Sequence, residues 1–134
     1  MGVISGIFAT ADSTDIPAIA SGLCASSGNV ANAAAVAALP AKVGLLAYMT
    51  GFQITGAGAT SGLSVVATIT GLAGGTASHI FTFPAGVTVG GQSLAPTFYP
   101  ALQASAVNTA ITVTLPAGGL GNVNAAVSLQ GFYL

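Results

Sequence analysis

The feature that most constrains this chain is a series of short segments in which apolar and polar residues alternate. Alternation with a period of two puts one set of side chains on the buried face of a strand and the other on its solvent face. Five segments follow this pattern, and we expect one shared face for each of these groups: Leu46, Tyr48, Phe52 and Ile54; Leu63, Val65, Ala67 and Ile69; His79, Phe81 and Phe83; Ile111, Val113 and Leu115; Ala125, Val127 and Leu129. The opposite positions are rich in Ser, Thr, Asn and Gln, which predicts half-buried strands with hydroxyl-rich outer faces.

Glycine and proline separate these segments. Glycine pairs at 74–75, 90–91 and 118–119 supply backbone freedom at turns. Pro84, Pro96, Pro100 and Pro116 cannot donate to a sheet ladder, so we expect them at strand ends or edges. About six strands at intervals of roughly 10–15 residues predict an all-β fold, an antiparallel β-sandwich that is jelly-roll-like.

The first forty residues differ from the rest. They contain both acidic residues, Asp12 and Asp15, and an Ala-rich stretch that Pro40 follows. A helix is plausible only within 29–39, and a short isolated helix is marginal in water. We therefore expect an extended N-terminal arm over residues 1–40 and a β-sandwich domain over residues 41–134.

Charge is almost absent from this chain. Asp12, Asp15 and Lys42 are the only formally charged residues, 2% of the sequence, whereas an ordinary soluble domain is about 25% charged. One Lys without any Arg does not neutralise phosphates, so we expect no nucleic-acid partner. There is no run of about 20 apolar residues and no basic stretch before the apolar start, so we expect neither a membrane span nor a secretory signal.

The titratable residues do not form a recognisable catalytic or metal-binding motif. Cys24 is the only cysteine and His79 the only histidine, while Asp12 and Asp15 are too few ligands for a good calcium site. No Gly-x-Ser-x-Gly surrounds any serine, and the glycines around 56–62 lack the Lys of a phosphate-binding loop. We therefore predict that the chain is not an enzyme and uses no metal or cofactor, with His79 as a packing residue.

A nearly uncharged chain is suited to surfaces that are covered by other proteins. Charges are costly to bury in interfaces unless they are paired, whereas Ser, Thr, Asn and Gln are satisfied by hydrogen bonds. We expect the chain to bind copies of itself or a scaffold. The candidate interface residues are the bulky ones that we expect to be exposed: Ile7, Phe8, Ile16, Phe98, Tyr99 and Phe132.

Residues 40–134 resemble a group of small virion structural proteins of tailed bacteriophages. The resemblance lies in turn and strand segments: 48–60 (YMTGFQITGAGAT), 66–75 (VATITGLAGG), 83–87 (FPAGV), 100–111 (PALQASAVNTAI), 118–126 (GGLGNVNAA) and 131–133 (GFY). It implies a homotrimer that decorates or cements the capsid by binding the major capsid protein. The protein would then lie on the capsid exterior of the virion, and in the host cytoplasm during assembly.

Two other functions stay open. A tail, fibre or spike component could contact the host surface, with Phe98 and Tyr99 stacking on sugar. An ice-binding protein would use regular hydroxyl faces, for which the sequence offers Thr68-x-Thr70 and Thr112-x-Thr114. These are only two short pairs without a fixed repeat, so capsid decoration is the main hypothesis.

Overall fold

The computed structural model of the chain describes residues 22–86 and 92–134, and these residues form an all-β fold. Within those two ranges there are nine strands and no helix, against about six strands expected. The strands are β1 (Leu23–Ser26), β2 (Ala35–Leu39), β3 (Ala47–Ala57), β4 (Leu63–Thr70), β5 (Ala77–Phe83), β6 (Gln92–Leu94), β7 (Thr97–Gln103), β8 (Ile111–Leu115) and β9 (Asn124–Tyr133).

The strands form two antiparallel sheets. One, the β9 sheet, has the order β1-β9-β3, with β6 and β7 both paired to the far edge of β3. The other, the β8 sheet, has the order β2-β8-β4-β5. The antiparallel β-sandwich predicted from the sequence is therefore confirmed. Its pairing is nested along the chain: β1 pairs with β9, β2 with β8, β3 with β6 and β7, and β4 with β5.

The inner faces of the two sheets supply the core. Four of the five predicted groups face inward: in β8 and β9 every apolar member is buried, and in β4 and β5 burial increases toward one end. The largest fully buried side chains are Phe52, Phe81, Phe83, Leu39, Met49, Ile54, Ile69, Ile111, Leu115, Leu129, Val113 and Val127. Two apolar layers closing on each other exclude water from this set, which is the main source of stability in such a fold.

The predicted face of β3 is wrong in its first half. Ala47 and Met49 point inward together with Phe52 and Ile54, while Tyr48 lies on the outer face. The reason is a register shift against β9: Met49 pairs with Gly131, but Gly51 already pairs with Gln130. One extra residue in one strand reverses the parity of every position before it.

The predicted arm boundary at residue 40 is also wrong. β1 pairs with β9 and β2 pairs with β8, so both strands belong to the sandwich. Ala35, Ala37 and Leu39 are buried in the core. The predicted extension of residues 1–21, together with Asp12 and Asp15, lies outside the described residues.

The prolines stand where sheet geometry tolerates them. Pro84 and Pro116 directly follow β5 and β8, Pro96 precedes β7, and Pro100 lies within β7 at the edge of the β9 sheet. Their expected positions at strand ends and edges are therefore confirmed. The turn between β4 and β5 uses Gly74 and Gly75 at φ +95 and +116, a backbone region that L side chains rarely adopt.

Candidate interaction surfaces

The Cys, Lys and His side chains of the described residues lie on different elements of the fold. Cys24 lies on β1, Lys42 before β3 and His79 on β5. In residues 22–86 and 92–134 there is no group of three or more His, Cys, Asp or Glu side chains that could hold a metal ion.

His79 packs against the core as expected. Its ring meets the ring of Phe52 edge-on, with 5.2 Å between the centroids and 64° between the planes. It is half-buried on the inner side of β5, next in alternation to Phe81 and Phe83. Its contacts are those of a packing residue that joins the two sheets.

Lys42, the one charged side chain in the described part of the chain, lies against an aromatic ring. Its Nζ is 4.5 Å from the ring centroid of Tyr133, within the range of a cation–π contact. The Tyr133 hydroxyl donates a 2.6 Å hydrogen bond to the carbonyl oxygen of Pro40, and burial raises the pKa of that hydroxyl. This arrangement fastens the chain after β2 to the end of β9.

Asn122 is the one buried polar side chain among the described residues. Its Nδ2 donates to the carbonyl oxygens of Ala57, at 2.8 Å, and Asn124, at 2.9 Å. Its Oδ1 accepts a 3.0 Å hydrogen bond from the backbone N–H of Asn32. The side chain therefore holds three separate chain segments together, which is a structural role.

Of the six predicted interface residues, three lie in the described part of the chain, and they differ in exposure. Tyr99 on β7 is 99% exposed, as expected. Phe98, its neighbour, turns inward instead, with its ring centroid 6.2 Å from that of Phe52. Phe132 is half-buried and stacks on Tyr48 at 5.1 Å and 10°. Ile7, Phe8 and Ile16 lie outside the described residues, so the interface roles of all six stay predictions.

The outer face of the β8 sheet is built from hydroxyl and branched aliphatic side chains. Thr68 and Thr70 on β4 pair directly with Thr114 and Thr112 on β8, so the two Thr-x-Thr pairs lie side by side. The row formed by Thr68 and Thr114 continues to Val36 on β2 and to Ser78 on β5.

On the same face, Val66 lies opposite Ile80, and the hydroxyls of Ser64 and Thr82 share a 2.8 Å hydrogen bond. Val36, Val66 and Ile80 are 47%, 50% and 75% exposed. Our choice of interface residues missed these three. For Val66 and Ile80, the signal in the sequence was a branched aliphatic residue at an outward position between Ser and Thr, whereas Val36 lies between alanines.

The outer face of the β9 sheet is also uncharged. Across β1, β9 and β3 it carries a row formed by Ser26, Ser128 and Gln53, in which the Ser128 hydroxyl lies 3.5 Å from Gln53 Oε1. The stacked pair Tyr48 and Phe132 closes one end of this face. Both broad faces of the sandwich thus offer hydrogen-bonding and apolar groups without charge.

In the two described ranges, no helix is long and apolar enough to cross a membrane. No protein-family profile, curated protein sequence or solved structure matches this chain.

Proposed function

We propose that this chain is a structural virion protein that decorates or cements a bacteriophage capsid. The observation that carries the proposal is the make-up of the two broad faces. In the part of the chain that the structure describes, hydroxyl, amide and aliphatic side chains cover both faces, and Lys42 is engaged with Tyr133. Surfaces of this kind are suited to permanent burial against other proteins.

The physical reason is the cost of desolvation. Removing an unpaired charge from water costs several kcal/mol, whereas a buried hydroxyl or amide that finds a hydrogen-bond partner costs little. A net charge of −1 also gives little protection against association in free solution. In a densely packed shell of many copies, the uncharged faces are buried at low cost, and the low net charge does not oppose association.

The strand order supports the same proposal. When β6 and β7 are counted as one interrupted strand, the nested pairing has eight strands in two sheets of four, and we propose that it represents the wrapping of a jelly roll. Jelly rolls are common in viral capsid domains and in lectins. Because one fold hosts many functions, this topology supports the proposal only together with the surfaces and the sequence resemblance.

We further propose that the protein acts as a closed homo-oligomer bound to the major capsid protein, with the trimer as the form that the resemblance implies. The residues before β1 would dock on neighbouring subunits. The sandwich would stand on the capsid exterior, with Tyr99 among the contacts, because a fully exposed aromatic side chain gains most from being covered.

Rebinding to depleted particles tests this proposal. Capsids made without the protein are mixed with purified protein, and the bound protein is located by cryo-electron microscopy. We expect regular density over the whole shell, and weaker binding by Tyr99→Ser, whose fold is unaffected because the side chain is exposed. Leu120→Ser, an exposed loop substitution, is the control. Density confined to the tail would overturn the proposal in favour of a tail or spike component.

The structure also offers an observation for ice binding as a second candidate. The four threonines Thr68, Thr70, Thr112 and Thr114 form a two-by-two array on adjacent strands. An ice-binding face needs a flat regular array of hydroxyl and methyl groups, and this one spans only two strands. Thermal hysteresis of the purified protein tests it: activity that Thr114→Leu abolishes would favour ice binding, and no activity would exclude it.

A further inference from the structure

We infer that the free edge of β5 pairs with the β5 of a second copy, antiparallel about a two-fold axis at Ile80. In the described residues β5 is the last strand of the β8 sheet and pairs only with β4. Its backbone groups on the other side have no hydrogen-bond partner there. A row of such groups is a template for another strand.

The other three sheet edges are protected, which makes the β5 edge exceptional. β1 has four residues, and β2 has five and ends next to Pro40 and Lys42. The edge formed by β6 and β7 is interrupted after Leu94 and contains Pro100. By contrast, β5 keeps regular pairing over seven residues without proline, charge or bulge. Proteins usually protect an edge of this length, so an edge with which no described strand pairs indicates a partner strand.

A second β5 is complementary in register. Ile80 is the central residue of β5 and 75% exposed. An antiparallel partner centred on it puts Ile80 on Ile80, Ser78 on Thr82 and His79 on Phe81. Outward residues then meet outward residues, so the sheet continues through both copies with a Val66–Ile80–Ile80–Val66 row. Since neither β4 nor β5 carries a charge, no like charges on these two strands face each other across the pair.

The β7 edge lies beside the β5 edge and would extend the same interface. Phe52 contacts both His79 of β5 and Phe98 of β7, so the β5 edge and the β7 edge lie on one side of the sandwich. The exposed Tyr99 follows Phe98 on that side. One strand pair alone buries less than the about 800 Å² per partner of a standard interface. We therefore expect a concentration-dependent dimer.

This inference deepens the proposed function without depending on it. On a shell, the same edge would join protomers of neighbouring oligomers across local two-fold axes. In solution, it joins two copies of the purified protein, so it can be tested without any particle. Failure of the edge pairing leaves decoration standing, and absence of the protein from capsids leaves the pairing standing.

Disulfide trapping is the direct test. Directly opposite residues in an antiparallel pair have Cα atoms about 4.5–5.5 Å apart, within the range that a disulfide bridges. In the Cys24→Ser background, Ile80→Cys should form a covalent dimer under mild oxidation. Val36→Cys, on the same outer face at the opposite edge, is the matched control. Equal cross-linking of the two variants, or none with Ile80→Cys, would overturn the inference.

A charge-pair experiment checks the register. Ile80→Lys and Ile80→Asp should each be monomeric by native mass spectrometry, because like charges then face each other across the axis. Mixed in equal amounts, they should form a one-to-one heterodimer, which also shows that both variants fold. Homodimers of either variant, or a mixture that stays monomeric while the unsubstituted protein dimerises, would contradict pairing at Ile80.

Discussion

The rings of Phe52 on β3 and His79 on β5 meet in an edge-to-face contact, with 5.2 Å between the two centroids. This contact joins the β9 sheet to the β8 sheet on the side where β5 has its free edge. Phe98 reaches the same phenyl ring from β7. Phe52 is therefore the point at which three strands of two sheets are held together.

We expect His79→Gln to weaken the fold modestly and to leave the proposed binding unchanged. The edge contact with Phe52 contributes about 0.5–1.5 kcal/mol, which the amide does not replace. Urea unfolding measures the loss, and incorporation into capsids measures the function. A variant with intact stability that no longer incorporates would show that the imidazole has a role beyond packing.

Asn122→Ala should be among the most destabilising polar substitutions in the described chain. It leaves the carbonyls of Ala57 and Asn124 and the N–H of Asn32 without their partner. The hydrogen bond to the Ala57 carbonyl is buried, and leaving such a group without a partner costs about 1–3 kcal/mol. Asn124→Ala is the control, since its side chain is exposed and its carbonyl is retained. Equal unfolding free energies for the two variants would contradict the structural role of Asn122.

Gly131→Ala should disrupt the bulge of β3. A Cβ at this position would lie 2.0 Å from the carbonyl oxygen of Tyr48 and 2.6 Å from Leu39 Cδ1. Because the nearest atom is backbone, β3 and β9 must separate, at the upper end of the about 1–3 kcal/mol that overpacking costs. Gly62→Ala is the control, since its Cβ would meet only the Phe83 carbonyl at 3.8 Å. Similar melting temperatures for both would refute the close approach.

Tyr133 should make stability fall in alkaline solution. Burial raises the pKa of its hydroxyl above the ordinary value of 10.0, so the folded protein holds this proton more tightly than the unfolded chain does. The contribution is complete below pH 10.0 and is lost as the pH rises from there through the raised folded value.

Tyr133→Phe isolates this effect, because Lys42 remains in place beside the ring. It should lose about 1 kcal/mol at neutral pH with the hydrogen bond to Pro40, and show a smaller loss above pH 10.0. Tyr48→Phe is the control and should keep the alkaline loss. An unchanged alkaline profile in Tyr133→Phe would contradict the assignment.

Self-association should depend little on salt. Under the proposal, the described surfaces would bind through apolar contacts and uncharged hydrogen bonds, which ions do not screen. Sedimentation of the purified protein should give the same dissociation constant within about twofold between about 0.1 and about 1 M NaCl. A steep loss of association with salt would show that Asp12, Asp15 or Lys42 dominates the interface.

Local patterns predicted much of this fold. Alternation predicted the inward faces of β4, β5, β8 and β9, because apolar residues recur at every second position in a strand with one buried face. The same rule failed at β3, since the extra residue near Gly51 is defined by its pairing with β9 and leaves no local mark. β2 was missed because its inward Ala35 and Ala37 are small and suggest a helix as readily as a strand.

The surfaces were harder to predict than the core. That Thr68 lies beside Thr114, or that Val66 lies opposite Ile80, depends on strand pairing between distant parts of the chain. Phe98 and Tyr99 are adjacent and aromatic, yet the strand turns one inward and the other outward. Composition indicated uncharged surfaces, and only the pairing of strands placed the exposed aliphatic residues on them.

The copy number of this protein in purified virions tests the central proposal most directly. Quantitative mass spectrometry against the major capsid protein gives that number per particle. A decorating or cementing protein should be present at a fixed ratio to the capsid protein, which means hundreds of copies. A handful of copies per particle, or none, would contradict a role on the capsid shell.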